Sequence, residues 1–305
     1  MASAQHGAQI KLRNILYLTD FSEPSEAALL YAVTLARGYG AKVHALHILL
    51  PTPYPYAYAA PGLTAAALEA EEENAKAEMQ KVESQLAGLQ HETNIERGTS
   101  IWPGVEQAIQ EGNIDLVVVG THGRTGVDKL LLGYVAEEIF RRSRVPVMTI
   151  GPNARGNVHN GARFHRVLFA TDLTAESLAG APYAVSLAQE NQARLLSLLV
   201  IRKPERATTD DNRLVELSAA EAMHRLYEIV PSDAKLEFPP EVAVDYGEPA
   251  ERIVEIARQR AADLIVLGVR KVSHIGAATH LERATAHKVV AHALCPVLTV
   301  RGSAA

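Results

Sequence analysis

Three short stretches occur twice in this chain, in the same order and at nearly the same spacing, and this duplication limits the possible folds more than any other feature. RNILYLTDFS (13–22) returns as HRVLFATDLT (165–174), IDLVVVGTHG (114–123) as ADLIVLGVRK (262–271), and VPVMTIG (145–151) as CPVLTVRG (295–302). Asp20 and Asp172 stand 152 positions apart, and Pro146 and Pro296 stand 150 apart. Landmarks in register over the whole length mean one unit used twice, each of about 150 residues, an ordinary domain size. Between the copies lies GPNARGNVHNGARF (151–164), rich in Gly and Asn with no apolar period, which is linker composition. The expected division is therefore a first domain over 1–152, a linker over 153–163 and a second domain over 164–305.

Within each copy, short β-branched runs alternate with longer amphipathic stretches. In the first, Ile15–Leu18 reads as a buried strand. SEPSEAALLYAVTLARGYG (22–40) then offers a cap, an acidic first turn, an apolar face of helical period and a closing glycine. KVHALHIL follows as a second strand, and AAALEAEEENAKAEMQKVESQL as a long helix over about 64–86, being rich in strong helix formers. A strand near 92–96, a helix over about 104–111, the strand DLVVVG, the helix VAEEIFRR and the strand VPVMTI complete the unit. Strands that are apolar on both faces and alternate with helices predict a parallel sheet covered on both sides. The expected fold class is thus α/β, doubly wound, twice over.

Ligands of open doubly wound sheets bind beyond the carboxyl ends of the strands, where the strand order reverses. Two segments of the first copy fall there: Thr19-Asp20 after the first strand, and Gly120-Thr121-His122-Gly123 after the fourth, running on to Gly133-Tyr134-Val135 at the start of a helix. Glycines allow close approach of backbone to phosphate, and a helix start supplies free N–H groups and a favourable dipole.

At these residues the chain resembles the universal stress proteins. Gly120-x-x-Gly123, nine residues and Gly133 match the G-x-x-G-(x)9-G-[ST] loop of the family's ATP-binding members, LTDFSEPSEAALLYAVTLA its opening, and RSRVPVMTI its closing strand. The resemblance spans nearly the whole chain as two modules. It implies in each domain a five-stranded parallel sheet, order 3-2-1-4-5, flanked by helices, and in the first domain a site for ATP, ADP or AMP, with or without Mg. Carried over by motif, Thr19, Asp20 and the backbone at Ile48 would address the nucleoside. Gly120, His122, Gly123, Arg124, Gly133 and the backbone at Tyr134 and Val135 would address ribose and phosphates. The resemblance also implies pairing through last strands, here Val145–Ile150 with Cys295–Val300 inside one chain, and a further homodimer of whole chains.

Two departures qualify that expectation. Where the family has Ser or Thr after the last glycine, this chain has Tyr134, whose hydroxyl lies beyond the ring. Losing one hydrogen bond to a charged group costs roughly 1.5–3 kcal/mol, about tenfold to a hundredfold in affinity. In the second copy the loop reads Gly268-Val269-Arg270-Lys271, and Arg283 stands at the position of Gly133. That domain is expected to be structural or regulatory. Alternatives for the whole chain are a nucleotide-free scaffold for an unidentified protein partner, or a slow ATPase or phosphotransferase. Against the last, no Walker-type Lys-[Ser/Thr] and no paired acidic metal ligands stand near the loop.

Composition narrows the classes further. A formal charge of −5, with no basic stripe, argues against nucleic acid, and no apolar run is long enough to span a membrane. One cysteine, Cys295, and an N-terminus without a hydrophobic leader point to the cytoplasm. His274, His280, His287 and His292 crowd near Cys295 without i, i+4 spacing, and no metal site is expected from them. PTPYPYAYAAPG (51–62) reads as a solvated polyproline-like loop or, alternatively, a lid or a partner surface. His44 and His47, at odd spacing in a strand, should face opposite sides of the sheet, and neither is expected to be catalytic.

Overall fold

The computed structural model describes residues 10–51, 61–121, 133–151, 153–154, 163–202, 209–269 and 277–302. The first copy folds as β1 (Asn14–Leu18), α1 (Glu23–Tyr39), β2 (Lys42–Leu49), α2 (Pro61–Gln85), β3 (His91–Arg97), α3 (Ile101–Glu111), β4 (Leu116–Gly120), α4 (Tyr134–Arg142) and β5 (Val147–Ile150). The second repeats the plan as β6 (Arg166–Ala170), α5 (Ala175–Leu178), α6 (Ala181–Asn191), β7 (Arg194–Ile201), α7 (Thr209–Glu228), β8 (Glu241–Tyr246), α8 (Pro249–Gln259), β9 (Leu264–Val269), α9 (Ala277–His292) and β10 (Val297–Arg301).

The ten strands form one sheet in the order β3-β2-β1-β4-β5-β10-β9-β6-β7-β8. Each half has the expected order 3-2-1-4-5 with parallel pairing, and the halves meet through antiparallel pairing of β5 with β10. This join covers one edge of each half with the other, leaving β3 and β8 as the outer strands. Strand alternation divides the apolar side chains between two layers that both continue across the join. Ile15, Tyr17, Val118, Met148, Phe169 and Leu298 point to one layer; Leu16, Leu18, Val117, Val147, Leu168 and Val297 point to the other.

The elements end where local chemistry requires. Gly40 closes α1 in the left-handed region (φ 65), with its N–H returned to the Ala36 carbonyl. The expected cap at Ser22 is made by backbone only, because its hydroxyl donates to Asp20 Oδ1 at 2.5 Å instead of accepting from the helix. A single helix follows β1, but the matching stretch after β6 is broken into α5 and α6. Pro182, at the start of α6, lacks an N–H and would clash with a continuing helix. Gly180 at the break is tightly packed: a Cβ would lie 3.0 Å from the Phe169 ring and 3.2 Å from the Gly268 nitrogen, so a side chain there would push these neighbours aside.

The same repeat position joins the halves differently on its two sides. Arg301, at the end of β10, donates to the Phe140 carbonyl in the last turn of α4 at 2.5 Å. Its counterpart Gly151, after β5, lies so close to α9 that an added Cβ would sit 3.0 Å from the Val290 carbonyl. Between α1 and the start of the second domain, Tyr31 stacks on Phe164 with ring centroids 6.1 Å apart. Among the described residues no helix is long and apolar enough to cross a membrane.

Candidate functional site

The chain turns out of β1 through Thr19-Asp20-Phe21-Ser22, and side chains hold that turn. Thr19 Oγ1 accepts from the Phe21 N–H at 3.0 Å, and Asp20 Oδ1 accepts from the Ser22 N–H at 3.1 Å. Phe21 is thereby held at φ 60, a left-handed conformation uncommon for a residue with a side chain. The second domain builds the same turn. Thr171 Oγ1 accepts from Leu173 N–H at 2.9 Å, Asp172 Oδ1 from Thr174 N–H at 3.0 Å, and Leu173 has φ 63. Burial pulls the Asp172 carboxyl upward, but hydrogen bonds from Ser177 and Thr174 outweigh it and hold the group below the usual aspartate range.

Beyond the carboxyl ends of β1, β2 and β4 this turn borders a cavity of about 180 Å³. The expected residues Thr19, Asp20, Ile48, Gly120, Gly133 and Val135 all line it. Tyr134 begins α4 between the last two; its side chain, and the whole of His122, Gly123 and Arg124, lie outside the described residues. Gly133 is the N-cap of α4 with no side-chain cap, and its N–H donates to the Thr121 carbonyl at 2.6 Å. The two ends of the glycine loop are thus held together at the mouth of the cavity, with the first N–H groups of α4 at its rim.

Gly120 has a second reason to be glycine. A Cβ there would meet the Pro24 carbonyl at 2.7 Å and the Ser25 nitrogen at 2.9 Å, so the residue allows α1 to seat on β4. Gly268 does the same against α5, where a Cβ would fall 2.1 Å from the Ser177 carbonyl oxygen. The first glycine of the loop is therefore required by helix–strand packing in both halves, and its survival in the second is not a sign of phosphate binding.

The structure also brings in residues that the sequence did not assign to this site. His47 lines the cavity, its Nδ1 2.8 Å from the Thr19 carbonyl and its ring 4.4 Å from that of Phe21. Ser25 lies beneath the turn, its Oγ 3.2 Å from Thr19 Oγ1. Ser25 was legible in principle, since Thr-Asp-x-[Ser/Thr]-x-x-Ser occurs at both 19–25 and 171–177. His44 points elsewhere, toward Asn14, and burial pushes its pKa down.

In the second domain the corresponding crevice, lined by Thr171, Asp172, Val200, Leu267, Gly268 and Ala286 among others, is wider at about 500 Å³. Ala170 for Leu18 and Val200 for Ile48 remove bulk from its walls. Its helix is placed differently. By the repeat, Ala284 matches Tyr134, yet α9 starts at Ala277, so this position lies inside a helix rather than at its first turn. N–H groups there are engaged by the preceding helical carbonyls and are not available at the crevice.

His287 and His292 lie on α9, His274 and the His280 side chain are outside the described residues, and the buried Cys295 thiol is pushed up to about 12, chiefly by desolvation. Among the described residues no three His, Cys, Asp or Glu side chains are grouped as a metal ion would need.

Comparison with known proteins agrees with this architecture. The model of the universal stress protein family matches the chain twice, over residues 11–151 and 163–301. Two universal stress proteins of Methanocaldococcus jannaschii are similar to it. One is 29% identical over 140 residues (45% of this chain, 81% of the relative), and the other 28% identical over 156 residues (46% and 96%). A solved universal stress protein from Archaeoglobus fulgidus superposes over 95% of this chain and 98% of its own, with TM-score 0.62 and 22% identity. Another universal stress protein, 21% identical over 46% of this chain and 99% of its own (TM-score 0.34), was solved in complex with cAMP. With both halves matched and the sheet order the same in each, this chain belongs to the universal stress protein family as a tandem of two domains.

Proposed function

We propose that the first domain binds ATP or another adenine nucleotide and that occupancy of this site sets a conformation read by a protein partner. One observation carries the reading: the cavity at the switch point gathers Thr19, Asp20, Ile48, Gly120, Gly133 and Val135 beside the uncapped start of α4. The residues fit the ligand class. Apolar walls from Leu18, Ile48, Val119 and Ile101 suit a flat base, and Asp20 keeps an oxygen beyond the one used in the turn for a nucleoside N–H or hydroxyl. The N–H groups and dipole at the start of α4 suit an anionic phosphate, whether or not Mg accompanies it. The second domain supports this one. Its α9 offers no free helix start at the equivalent place, and its β10 supplies Arg301 to the far end of α4. The working form is a cytoplasmic homodimer of whole chains. Because β5 and β10 are already paired with each other, that dimer uses another surface.

Release of bound nucleotide tests the reading. The protein is purified without added nucleotide, denatured, and the supernatant resolved by chromatography with mass detection, in parallel with Asp20→Asn. Near one adenine nucleotide per chain, lost in the variant, is expected. Two per chain would show a site in the second domain as well. None, together with no binding at millimolar ATP, would leave a nucleotide-free scaffold.

A further inference from the structure

At the edge of the sheet opposite the crevices, where β6, β7 and β8 begin, three arginines surround one carboxylate. Arg166, Arg194 and Arg260 line a cavity of about 80 Å³ with Glu241, over a floor of Val167, Leu168, Leu196 and Ala262. A water takes ~30 Å³ in the liquid, so the space holds more than one water. Glu241 is shared: Arg260 Nη1 donates to its Oε2 at 3.4 Å, and Arg194 Nη1 lies 3.6 Å from its Oε1.

The first domain handles the same place differently. Lys42 and Glu92, the repeat equivalents of Arg194 and Glu241, meet at 2.6 Å, with His44 Nδ1 3.8 Å from the same carboxylate. Asn14 stands where the second domain has Arg166, and Gly112 where it has Arg260. The second copy therefore keeps the carboxylate and adds two guanidinium groups around it, more positive charge than Glu241 alone balances. The arginines are also held in place. Arg194 lies over the Phe238 ring at 4.5 Å, and Arg166 Nη1 donates to the Arg260 carbonyl at 2.7 Å. Each guanidinium has five N–H donors in a rigid fork, more than these contacts use.

We infer that this pocket of the second domain binds a small tetrahedral oxyanion, phosphate or sulfate, bridged by Arg194 and Arg260 and closed by Arg166. Forked guanidinium groups match such an ion's geometry, and a doubly charged anion would balance the two uncompensated cations. The site lies across the sheet from the nucleotide crevice and does not depend on it.

Thermal unfolding in phosphate and in sulfate, each against chloride at equal ionic strength, tests the inference. A saturable rise in Tm beyond that in chloride is expected. Arg194→Gln with Arg260→Gln should weaken the apparent affinity by roughly tenfold or more, the loss expected for charged hydrogen bonds. Far-UV circular dichroism and the Tm in chloride check that this variant folds. Glu241→Gln, which removes the competing carboxylate, should tighten binding. Glycerol 3-phosphate acting as well as phosphate would identify a phosphate ester as the natural source, and acting more weakly would identify the free ion. The same saturable shift in the double arginine variant would overturn the site, since phosphate held in the first-domain crevice would survive there. No rise beyond chloride in the wild type would overturn it equally.

Discussion

Thr149 and Thr299 cross-link the two domains: Thr149 Oγ1 donates to the Val297 carbonyl and Thr299 Oγ1 to the Val147 carbonyl, each at 3.1 Å. Both side chains are buried, and the register places Thr149 opposite Val297 and Thr299 opposite Val147 about the Met148–Leu298 pair. Two domains that repeat one plan thus meet about a local two-fold, and the hydroxyls add to a short antiparallel ladder. Thr149→Val keeps the shape and removes one bond, so it should lower stability by about 1 kcal/mol, and the double variant with Thr299→Val by about twice that. Urea unfolding measures both. A double variant no weaker than either single one would show that the two bonds are not independent.

Helix seating should be as demanding in the second domain as in the first. Gly268→Ala places a methyl 2.1 Å from the Ser177 carbonyl oxygen, and Gly120→Ala places one 2.7 Å from that of Pro24. Each should cost on the order of 1–3 kcal/mol through forced backbone shifts, with Gly268→Ala the larger. A stable Gly268→Ala protein with unchanged unfolding would contradict the close packing of α5 on β9.

The turn aspartate of the second domain gives a pH signature. Asp172 titrates below the usual aspartate range when folded, so its contribution is complete above the unfolded value and is lost as pH falls through the folded one. Asp172→Asn should therefore be less stable than the wild type at neutral pH, and the gap should narrow as the pH falls below that of an ordinary aspartate. Unfolding free energies at pH 7, 4 and 3 decide it; a gap that stays constant or widens in acid would contradict the assignment.

Cys295 should be inert in the native protein. Burial pushes its thiol up to about 12, leaving almost no thiolate near neutral pH. Reaction with a colorimetric disulfide reagent at pH 8 should be slow and limited by unfolding, then complete in denaturant. Rapid native labelling would show that the last strand opens readily.

Much of this molecule was legible from periodicity and repetition. Apolar runs such as Val117–Val119 and the linker composition after Ile150 already specified alternating strands and helices, twice, because backbone pairing and two-sided burial leave strong local signals. The turn at Thr19-Asp20 and the glycine at 133 were visible as well, since special backbone geometry demands particular residue types. His47 was not, because its place beside Thr19 depends on the pairing of β2 with β1. The arginine cluster was hidden for the same reason: Arg166, Arg194 and Arg260 are scattered in the chain and meet only when three strand starts and the end of α8 come together.

Repetition and periodicity alone established two copies of one α/β unit, the alternation of strands and helices in the first, and a loop in the second copy that departs from the first. The β5–β10 join was expected from the family resemblance, but it took the folded chain to show that Gly120 and Gly268 answer first to helix packing and that α9 covers the place where α4 leaves its N–H groups open. The reason is physical. Secondary structure follows from neighbours along the chain, whereas edge pairing, close backbone approach and the clustering of charge follow from contacts between residues that the chain keeps far apart.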